Sequence, residues 1–256
     1  MEYLKSENIK NIIMKSWRMS KKNNVLSSFD KSLVKVKSDK LKLIKKNQKL
    51  ITVFKSSVQS ILKSIKNEYI FILTDLELIV LEFTKVDISM MKILELGMSL
   101  SEKSVGTNAI SLAKNTNKAV YIKPRDHYAA FLKEWYCFAL PLRIDKEIIG
   151  YLDVSTVNKE LKAEIIQVVD FLANNIIKAY KRFCVRDDIE LSEKQREVLK
   201  YIVKDMTDYE IARELDCSIS NLKKHKINLR KKLGVQSDKG ILCKVLKLGI
   251  LDLNEI

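Results

Sequence analysis

The sequence predicts an α+β fold in which N-terminal helices and an antiparallel sheet flanked by helices precede an all-α helix-turn-helix domain. Three observations support this prediction. The spacing of apolar residues is helical up to residue 66, strand-like from residue 69, and helical again from residue 158. Residues 191–256 contain repeated helix-start and helix-stop signals. A chain of 256 residues, 46% of them apolar, can form two domains that each bury a core.

The N-terminal part begins with two segments of helical apolar spacing, residues 3–20 and about 38–66. The second is predicted to be a long amphipathic helix with its lysines mostly on the solvated face. Residues 1–66 carry 17 Lys+Arg against 4 Asp+Glu, a balance that also fits a basic arm for nucleic acid. We favour the solvated helix, because Arg18 is the one arginine among these cations and specific base readout favours arginine.

The central part has strand-like spacing interrupted by a predicted helix at residues 105–116. The predicted strands are residues 69–75, 77–83, 119–123, 135–143 and 147–156, and the last two form a hairpin. Residues 158–183 then approximate a heptad seam, which is either a core face or a dimer contact. The expected domains are residues 1–183, with the sheet at about 69–156, a linker at 184–190, and residues 191–256.

Missing motifs exclude several classes of activity. No pair of the six glycines has the spacing of a phosphate-binding P-loop or a dinucleotide fingerprint. The two histidines and four widely separated cysteines provide no metal-ligand set. The N-terminus is charged where a signal peptide is apolar, and no apolar run approaches the ~20 residues of a membrane span. We therefore expect a cytoplasmic protein that is not an enzyme and needs neither metal nor cofactor.

Residues 191–235 divide into three short helices with recognisable ends. Ser192 and Thr207 are predicted N-caps, each with a capping-box partner three residues later. Ser220 is predicted to cap the third helix, which ends at Gly234. Away from its apolar residues this helix carries six cations: Lys223, Lys224, Lys226, Arg230, Lys231 and Lys232. A helix of this kind fits the major groove of DNA, whereas a merely solvated helix normally mixes charges.

Residues 191–252 resemble the LuxR/NarL type of helix-turn-helix domain. The matching residues are Leu191, Arg196, Glu197, Val198, Leu199, Glu210, Ile211, Ala212, Leu215, Ser218, Lys223, His225, Lys232, Leu233 and Gly234. The resemblance implies four helices, with the last one, 239–248, often used for dimerisation, and a structural role for His225. The DNA-binding residues that it implies are Thr207, Ser220, Asn221, Lys223, Lys224, Ile227, Asn228 and Lys231. Asn221 stands where threonine is usual and Gln195 where glutamate is usual, which leaves the preferred base sequence open.

Residues of about 10–180 resemble the GAF-type sensor of acetoin-catabolism activators. The motifs that carry the resemblance are Ser16-Trp17-Arg18, Ser101-Glu102, Gly106-Thr107-Asn108-Ala109-Ile110-Ser111, Asp126-His127-Tyr128, Cys137-Phe138-Ala139-Leu140-Pro141-Leu142 and Gly150-Tyr151-Leu152-Asp153-Val154-Ser155. Ser111 replaces a usual glycine and Asp126 a usual glutamate. Such activators also carry an ATPase domain, and this sequence lacks its P-loop. The resemblance therefore implies action by promoter occupancy or polymerase recruitment.

Together these resemblances imply a homodimeric transcriptional regulator that binds promoter DNA, takes a small-molecule effector, has RNA polymerase as a candidate partner and involves no membrane. The candidate ligand-binding residues are Phe71, Leu73, Thr107, Asn108, Ile110, His127, Tyr128, Trp135, Cys137 and Asp153. For the aromatic residues and Cys137 a role in the core is the favoured interpretation. One alternative makes the sensor a protein-docking module. Another, a thiol enzyme using Cys137, is disfavoured because no second cysteine is near in sequence.

Overall fold

The computed structural model describes residues 2–28, 40–63, 65, 69–84, 94–187 and 189–250. The chain divides into two compact units, Met1–Ala179 and Tyr180–Ile256. A helix at Ala163–Asp187 continues through residues 184–187, the first part of the segment that we expected to be a linker. Neither glycine nor proline interrupts the helix there, so nothing local stops it.

The first unit is built on a sheet. Its described strands are β1 (Leu4–Lys5), β2 (Ile70–Thr74), β3 (Val80–Phe83), β4 (Val120–Ile122), β5 (Trp135–Ile144) and β6 (Glu147–Val157). These six strands have the order β1-β4-β5-β6-β2-β3. Neighbouring strands are antiparallel, except that β1 pairs parallel with β4. The predicted hairpin is therefore confirmed, and it forms the centre of the sheet.

In the described part of the first unit, four α-helices accompany the sheet: α1 (Lys10–Lys22), α2 (Lys40–Leu62), α3 (Ala109–Thr116) and α4 (Ala163–Asp187). Helix α1 begins later than the predicted residue 3, because Leu4 and Lys5 pair with β4 instead. The backbone N–H of Leu4 donates to the carbonyl of Ala119 at 2.9 Å. Backbone pairing with an open strand edge thus overrides the local helical spacing, which periodicity alone does not reveal.

The two faces of the sheet contact different helices. Ile72 of β2 belongs to a core cluster that also contains Ile13 of α1 and Leu112 of α3. Successive side chains of a strand point to opposite faces, so Phe71 and Leu73 point away from this cluster. Both are fully buried, which means that the second face is covered as well.

Helix α2 packs on this second face. A Cβ atom on Gly150 would lie 3.2 Å from Cδ2 of Leu50 in α2 and 2.5 Å from the carbonyl oxygen of Thr74. Glycine at this position therefore allows the close approach of helix and neighbouring strand. Helix α4 buries part of its predicted heptad seam, including Leu172 and Ile176, inside the first unit. That part of the seam is core.

The second unit consists of α5 (Glu193–Val203), α6 (Asp208–Glu214), α7 (Ile219–Leu233) and α8 (Asp238–Leu248) around one apolar core. The predicted caps Ser192 and Thr207 are confirmed, each with a reciprocal capping box. The predicted cap Ser220 is wrong. Helix α7 begins at Ile219, and the Ser218 hydroxyl accepts the backbone N–H of Asn221 at 3.2 Å. Ser218 directly precedes the first helical residue and Ser220 directly follows it, so only the backbone geometry shows which of the two serines is the cap.

Within the described part of the chain, no helix is both long and apolar enough to cross a bilayer. Among the same residues, no three His, Cys, Asp or Glu side chains are grouped as a metal ion would require.

Two glycines with similar backbone angles provide a test of packing in the first unit. Gly106 has φ +69°, and a Cβ there would lie 2.6 Å from Cδ1 of Tyr128, whereas Gly234 has φ +64° and nothing within 4 Å. We expect Gly106→Ala to lower the free energy of unfolding by ~2–4 kcal/mol, because overpacking adds to backbone strain. Gly234→Ala, the matched control, carries the left-handed backbone strain alone and loses about 1 kcal/mol. Urea unfolding followed by circular dichroism measures both, and equal losses would contradict the packing argument.

Candidate nucleic-acid interface and sensor cavity

Helix α7 has one buried and one exposed side. Leu222 and Leu229 are fully buried, and they anchor the helix in the core of the second unit. The predicted DNA-binding residues are all exposed: Thr207 before α6, and Ser220, Asn221, Lys223, Lys224, Ile227, Asn228 and Lys231 on α7. The seven on α7 share the side that faces away from the core. Their contact with DNA stays a prediction.

Lys226 is the exception among the α7 cations, because it lies inside the domain. Its side chain is 7% exposed and pairs with the carboxylates of Asp208 in α6 and, at 2.8 Å, Asp238 in α8. Burial alone lowers the pKa of Lys226, but the hydrogen bonds to the two aspartates outweigh burial and raise it. The charged lysine therefore holds three helices together and is not available to DNA.

Two further cations of the α7 set are also engaged within the domain. Arg230 lies 3.4 Å from a carboxylate oxygen of Asp238, and Lys232 donates to Oε1 of Gln195 at 3.0 Å. Among the described residues, Lys223, Lys224, Lys231 and Lys232 make no ion pair, although Lys232 is hydrogen-bonded to neutral acceptors. Of the six cations counted from the sequence, Lys223, Lys224 and Lys231 are thus the exposed ones on the side that faces away from the core.

Two further side chains of the second unit, one on α7 and one on α6, are large, partly apolar and exposed. Ile227 is 50% exposed in the middle of α7, and Tyr209 is 71% exposed in the first turn of α6. Sequence reasoning missed Tyr209. The exposure of Tyr209 could have been predicted, because Tyr209 falls outside the apolar spacing of the inward-facing Ile211, Ala212 and Leu215.

The hydroxyl of Thr207 is committed to its helix cap. It donates to Oε2 of Glu210 at 2.7 Å and accepts the backbone N–H of the same residue at 3.4 Å. The hydrogen bonds that the Thr207 hydroxyl and backbone N–H donate to the Glu210 carboxylate hold the pKa of Glu210 below its ordinary value. An ionised carboxylate therefore lies beside Thr207 at the start of α6.

A cavity of about 40 Å³ lies in the first unit on the side of the sheet that faces α3. The residues that line it are Ile72, Leu94, Met98, Leu100, Asn108, Ala109, Ile110, His127, Phe131, Leu132, Trp135, Cys137, Asp153 and Ser155. Six of the ten candidate ligand-binding residues are among them: Asn108, Ile110, His127, Trp135, Cys137 and Asp153. The structure thus brings these six together.

The other four candidates lie elsewhere. Phe71 and Leu73 point to the opposite face of the sheet, as the two-residue period of β2 requires. The Thr107 hydroxyl lies 2.7 Å from that of Ser16 in α1, and the ring of Tyr128 packs edge-on against Trp17. Ile72, which sequence reasoning missed, lines the cavity because it pairs in register with Asp153. The alternation of side chains along β2 could have predicted that Ile72 faces away from Phe71 and Leu73.

Asn108 uses its side chain to hold the start of α3. Its Oδ1 accepts the backbone N–H of Ser111 at 3.0 Å, and the Ser111 hydroxyl lies 3.1 Å from the backbone N of Asn108. Its Nδ2 donates to the carbonyls of Leu100 and Gly106. Ser111, which stands where glycine is usual in the resembled family, completes this reciprocal cap. The amide has its hydrogen bonds made within the protein.

Burial opposes charge on the titratable side chains that line the cavity. Burial raises the pKa of Asp153 to about 7 and lowers the pKa of His127 to about 3. The Ser155 hydroxyl lies 2.5 Å from Oδ1 of Asp153 and 3.0 Å from Sγ of Cys137. Burial also raises the pKa of the Cys137 thiol. Since the thiolate is the nucleophilic form, this environment disfavours the thiol-enzyme alternative.

Among the residues that the structure describes, two buried nitrogens of cavity-lining side chains have no hydrogen-bond partner: Nε2 of His127 and Nε1 of Trp135. Nδ1 of His127 lies 3.2 Å from the carbonyl oxygen of Lys123, so Nδ1 is the protonated nitrogen of the neutral ring. Nε2 is therefore an acceptor, while the indole N–H of Trp135 is a donor. An unmatched donor and an unmatched acceptor thus belong to side chains of the same wall.

Helix α1 is attached to the loops beside the cavity. The Ser16 hydroxyl donates to a carboxylate oxygen of Glu102 and lies next to Thr107. The indole N–H of Trp17 donates to the carbonyl of Asp126 at 3.0 Å. These contacts give the upstream Ser-Trp-Arg motif a structural role in the first unit, one that spacing along the sequence does not reveal.

Comparison with known proteins identifies the second unit more closely than the first. Residues 190–245 match the family described as bacterial regulatory proteins, luxR family. No curated protein sequence matches the chain significantly.

Solved structures are similar to the chain at low identity. In the Escherichia coli DhaR(N)–DhaL complex, the similar chain is 15% identical with a TM-score of 0.60, over 66% of this chain and 60% of that one. A GAF domain/HD domain protein from Geobacter sulfurreducens is 14% identical over 52% and 92% of the two chains, with a TM-score of 0.39. Escherichia coli SdiA is 14% identical over 84% and 99%, with a TM-score of 0.29. The DhaR likeness shows a shared fold, while the detailed resemblance to acetoin-catabolism activators stays a prediction.

The buried Asp153 and His127 oppose each other in the pH dependence of stability. The pKa of Asp153 is raised on folding from 3.8 to about 7, so its contribution is full at low pH and is lost as pH rises through that window. The pKa of His127 is lowered from 6.5 to about 3, so its contribution is lost as pH falls. In Asp153→Asn, we expect that nothing offsets the loss of stability that His127 causes as pH falls. Relative to wild type, its unfolding free energy should fall by up to ~1.4 kcal/mol per pH unit between about pH 6.5 and 4.

The measurement is urea unfolding followed by tryptophan fluorescence, because Trp17 and Trp135 both lie in the first unit. Other carboxyl groups contribute equally to wild type and variant and cancel in the difference. A difference that does not change with pH, or that has the opposite slope, would show that Asp153 is not held protonated in the fold.

Proposed function

We propose, starting from the LuxR-family helix-turn-helix domain that residues 190–245 form, that the chain is a transcriptional regulator that reads duplex DNA with α7. The observation that carries this proposal is the exposed side of α7, where Lys223, Lys224 and Lys231 form no ion pair with any carboxylate that the structure describes. A cationic helix face attracts the phosphate backbone and admits the helix to the major groove.

The residue types on this side suit base readout as well as phosphate binding. Lysines can donate to the O6 and N7 acceptors of guanine, and the amides of Asn221 and Asn228 suit adenine. Ile227, half exposed at the centre of α7, offers apolar contact for a thymine methyl group. Lys226 supports this surface by fixing α7 against α6 and α8.

The regulator is proposed to act as a homodimer. Two exposed apolar side chains support this part of the proposal: Leu246 on α8 is 58% exposed and Phe171 on α4 is 63% exposed. Symmetric regulators of this kind bind half-sites about one DNA turn, roughly 34 Å, apart. A two-fold symmetric preferred site is the corresponding expectation, with promoter occupancy or polymerase recruitment as the mode of action.

The first unit is proposed to sense a small molecule in the cavity beside α3. Support comes from the convergence of six candidate residues on that cavity and from its mixture of apolar wall and a few polar groups. Binding there would alter the loops that carry His127 and, through them, α1, whose Trp17 bonds to the preceding residue Asp126.

A second candidate function is a protein-docking sensor. It is favoured by one observation: the similar DhaR N-terminal structure is that of a complex with the protein DhaL. A cavity-filling variant, Ala109→Met, separates the two functions, because Ala109 lines the cavity and is 1% exposed. In a promoter-reporter assay, small-molecule sensing predicts that this variant loses its regulated response. An unchanged response would favour docking.

The DNA-reading proposal predicts the effect of single lysine replacements. Lys223→Ala and Lys224→Ala should each weaken binding to a preferred duplex by ~1–3 kcal/mol, because each removes a base or phosphate contact. Lys118→Ala is the matched control, since it removes the same charge from an exposed position in the other unit. The preferred duplex is first selected from a random-sequence pool, and affinity is then measured by fluorescence anisotropy at fixed salt.

Two results would contradict the proposal. One is the absence of any preferred duplex at physiological salt. The other is binding by both α7 variants that equals that of Lys118→Ala, since the loss would then reflect net charge alone.

A further inference from the structure

An open groove of about 720 Å³ lies on the surface of the first unit, between α1 and the end of α3. On the α1 side its lining residues are Ile9, Ile12, Lys15, Ser16 and Met19. It shares no described lining residue with the cavity beside α3. The groove, called the α1 groove below, is therefore a second concave feature of this unit.

The apolar side of the α1 groove has the spacing of a helix-packing seam. Ile9, Ile12, Ser16 and Met19 follow one another at intervals of three, four and three residues, as the a and d positions of a heptad do. Ile9 and Ser16 are both 4% exposed and form the floor, whereas Ile12 and Met19 are 37% and 42% exposed. Half of this seam is thus open to the side chains of a second helix. An exposed methionine suits such a contact, because its flexible thioether adapts to the partner.

The charges beside the seam are positive. Helix α1 contains five cations and no acid, and all five are exposed: Lys10, Lys15, Arg18, Lys21 and Lys22. None of them pairs with a carboxylate that the structure describes. Lys15 lines the groove, and Lys22, one heptad later, lies on the same side of the helix. Lys118 lines the groove as well, after the end of α3.

One acid, Glu102, is among the described lining residues of the α1 groove. Its Oε1 accepts hydrogen bonds from the Ser16 hydroxyl and, at 2.7 Å, from the Asn115 amide. This carboxylate is therefore engaged with α1 and α3, and the lining lysines outnumber it. In a pair of packed helices the charges that flank the seam select the partner. The flanking lysines favour a helix with acidic residues at its own flanking positions.

Three other occupants fit the α1 groove less well. A second copy in a two-fold dimer would bring the same cationic face against itself, and like charges repel. A flat bilayer would touch the rim of a concave groove and leave its floor empty. Duplex DNA would meet an apolar floor, and the one arginine of α1, Arg18, does not line the groove.

We propose that the α1 groove binds an acidic amphipathic helix of a partner protein. Its apolar residues, at three-and-four spacing, pack on Ile12 and Met19, and its Glu or Asp residues lie beside Lys15, Lys22 and Lys118. The seam from Ile9 to Met19 is roughly 15 Å long, which corresponds to about three helical turns of the partner. This inference specifies the surface and the partner for the protein-docking alternative, and it depends on neither the small-molecule cavity nor DNA binding.

The probe is a synthetic two-heptad peptide with leucine at positions a and d, glutamate at e and g, and alanine or glutamine elsewhere. Its glutamates keep it from pairing with itself. Fluorescence anisotropy of the labelled peptide measures its binding to the full-length protein. A peptide with lysine in place of each glutamate is the charge control. We expect saturable binding of the acidic peptide and none of the basic one.

Helix α1 offers a matched control for each variant. Met14 and Met19 are both exposed, but Met19 alone lines the groove, and the same holds for Lys21 and Lys15. We expect Met19→Glu to weaken peptide binding by about tenfold, because an apolar contact is lost and a like charge is added. Lys15→Glu should weaken it by about fivefold. Met14→Glu and Lys21→Glu should each change it less than half as much. Equal losses in variant and control would overturn the proposal, since the attraction would then come from net charge alone.

A second measurement uses the wild-type surface and so does not depend on the folding of a variant. In full-length protein labelled with ¹³C at the methionine methyl groups, the acidic peptide should shift the Met19 signal and leave the Met14 signal unchanged. Met19→Leu and Met14→Leu assign the two signals. A shift of Met14 alone, or of neither signal at a saturating peptide concentration, would overturn the groove as the site.

The other occupants give distinct results, and each would overturn the proposal. Phosphatidylglycerol vesicles that bind to wild type and Met14→Glu but not to Met19→Glu would assign the groove to a membrane surface. A duplex that shifts the Met19 methyl signal would assign it to nucleic acid. A dimer that Met19→Glu alone dissociates in sedimentation would assign it to a second copy. Failure of the regulator proposal is separate, because the peptide assay contains no DNA and the affinity of α7 for a duplex is measured without the peptide.

Discussion

The alternation of side chains across the central hairpin β5–β6 is the constraint on which the first unit depends. It sends Trp135, Cys137 and Asp153 to the face that carries the cavity, while Phe138 and Leu152 go to the opposite, equally buried face. Since both faces are covered by helices, a shift of one residue in register would exchange the side chains that line the cavity with those of the opposite core. The antiparallel pairing of the hairpin, continuous with β2 and β4, opposes such a shift.

In the second unit, a buried ion pair helps to fix the orientation of the helices. Lys226 lies on the buried side of α7 and binds acids from α6 and α8. This arrangement orients α7 so that Lys223, Lys224 and Lys231 are exposed, and it uses a cation that a count of charges would assign to DNA. Reciprocal caps at Ser192 and Thr207 define the residues at which α5 and α6 begin.

Much of both units could be predicted because their signals are local. The hairpin, the helix caps at Ser192 and Thr207 and the αL stop at Gly234 depend on residues close in sequence. The strand at Leu4 and Lys5 could not be predicted, because its partner β4 lies more than a hundred residues away. The Ser218 cap was missed for a different reason, since two nearby serines are chemically equal until the backbone chooses one.

Apart from β1, the sequence by itself determined the order of helices and strands, the LuxR-type motif and the cationic character of α7. These follow from apolar period, capping and charge, which are properties of neighbouring residues. Tertiary structure alone decided which cations stay exposed, that six sensor candidates meet at one cavity, and that Trp135 and His127 each bury a nitrogen with no partner among the described residues. The physical reason is that burial and pairing depend on side chains brought together from distant segments, and no local pattern records them.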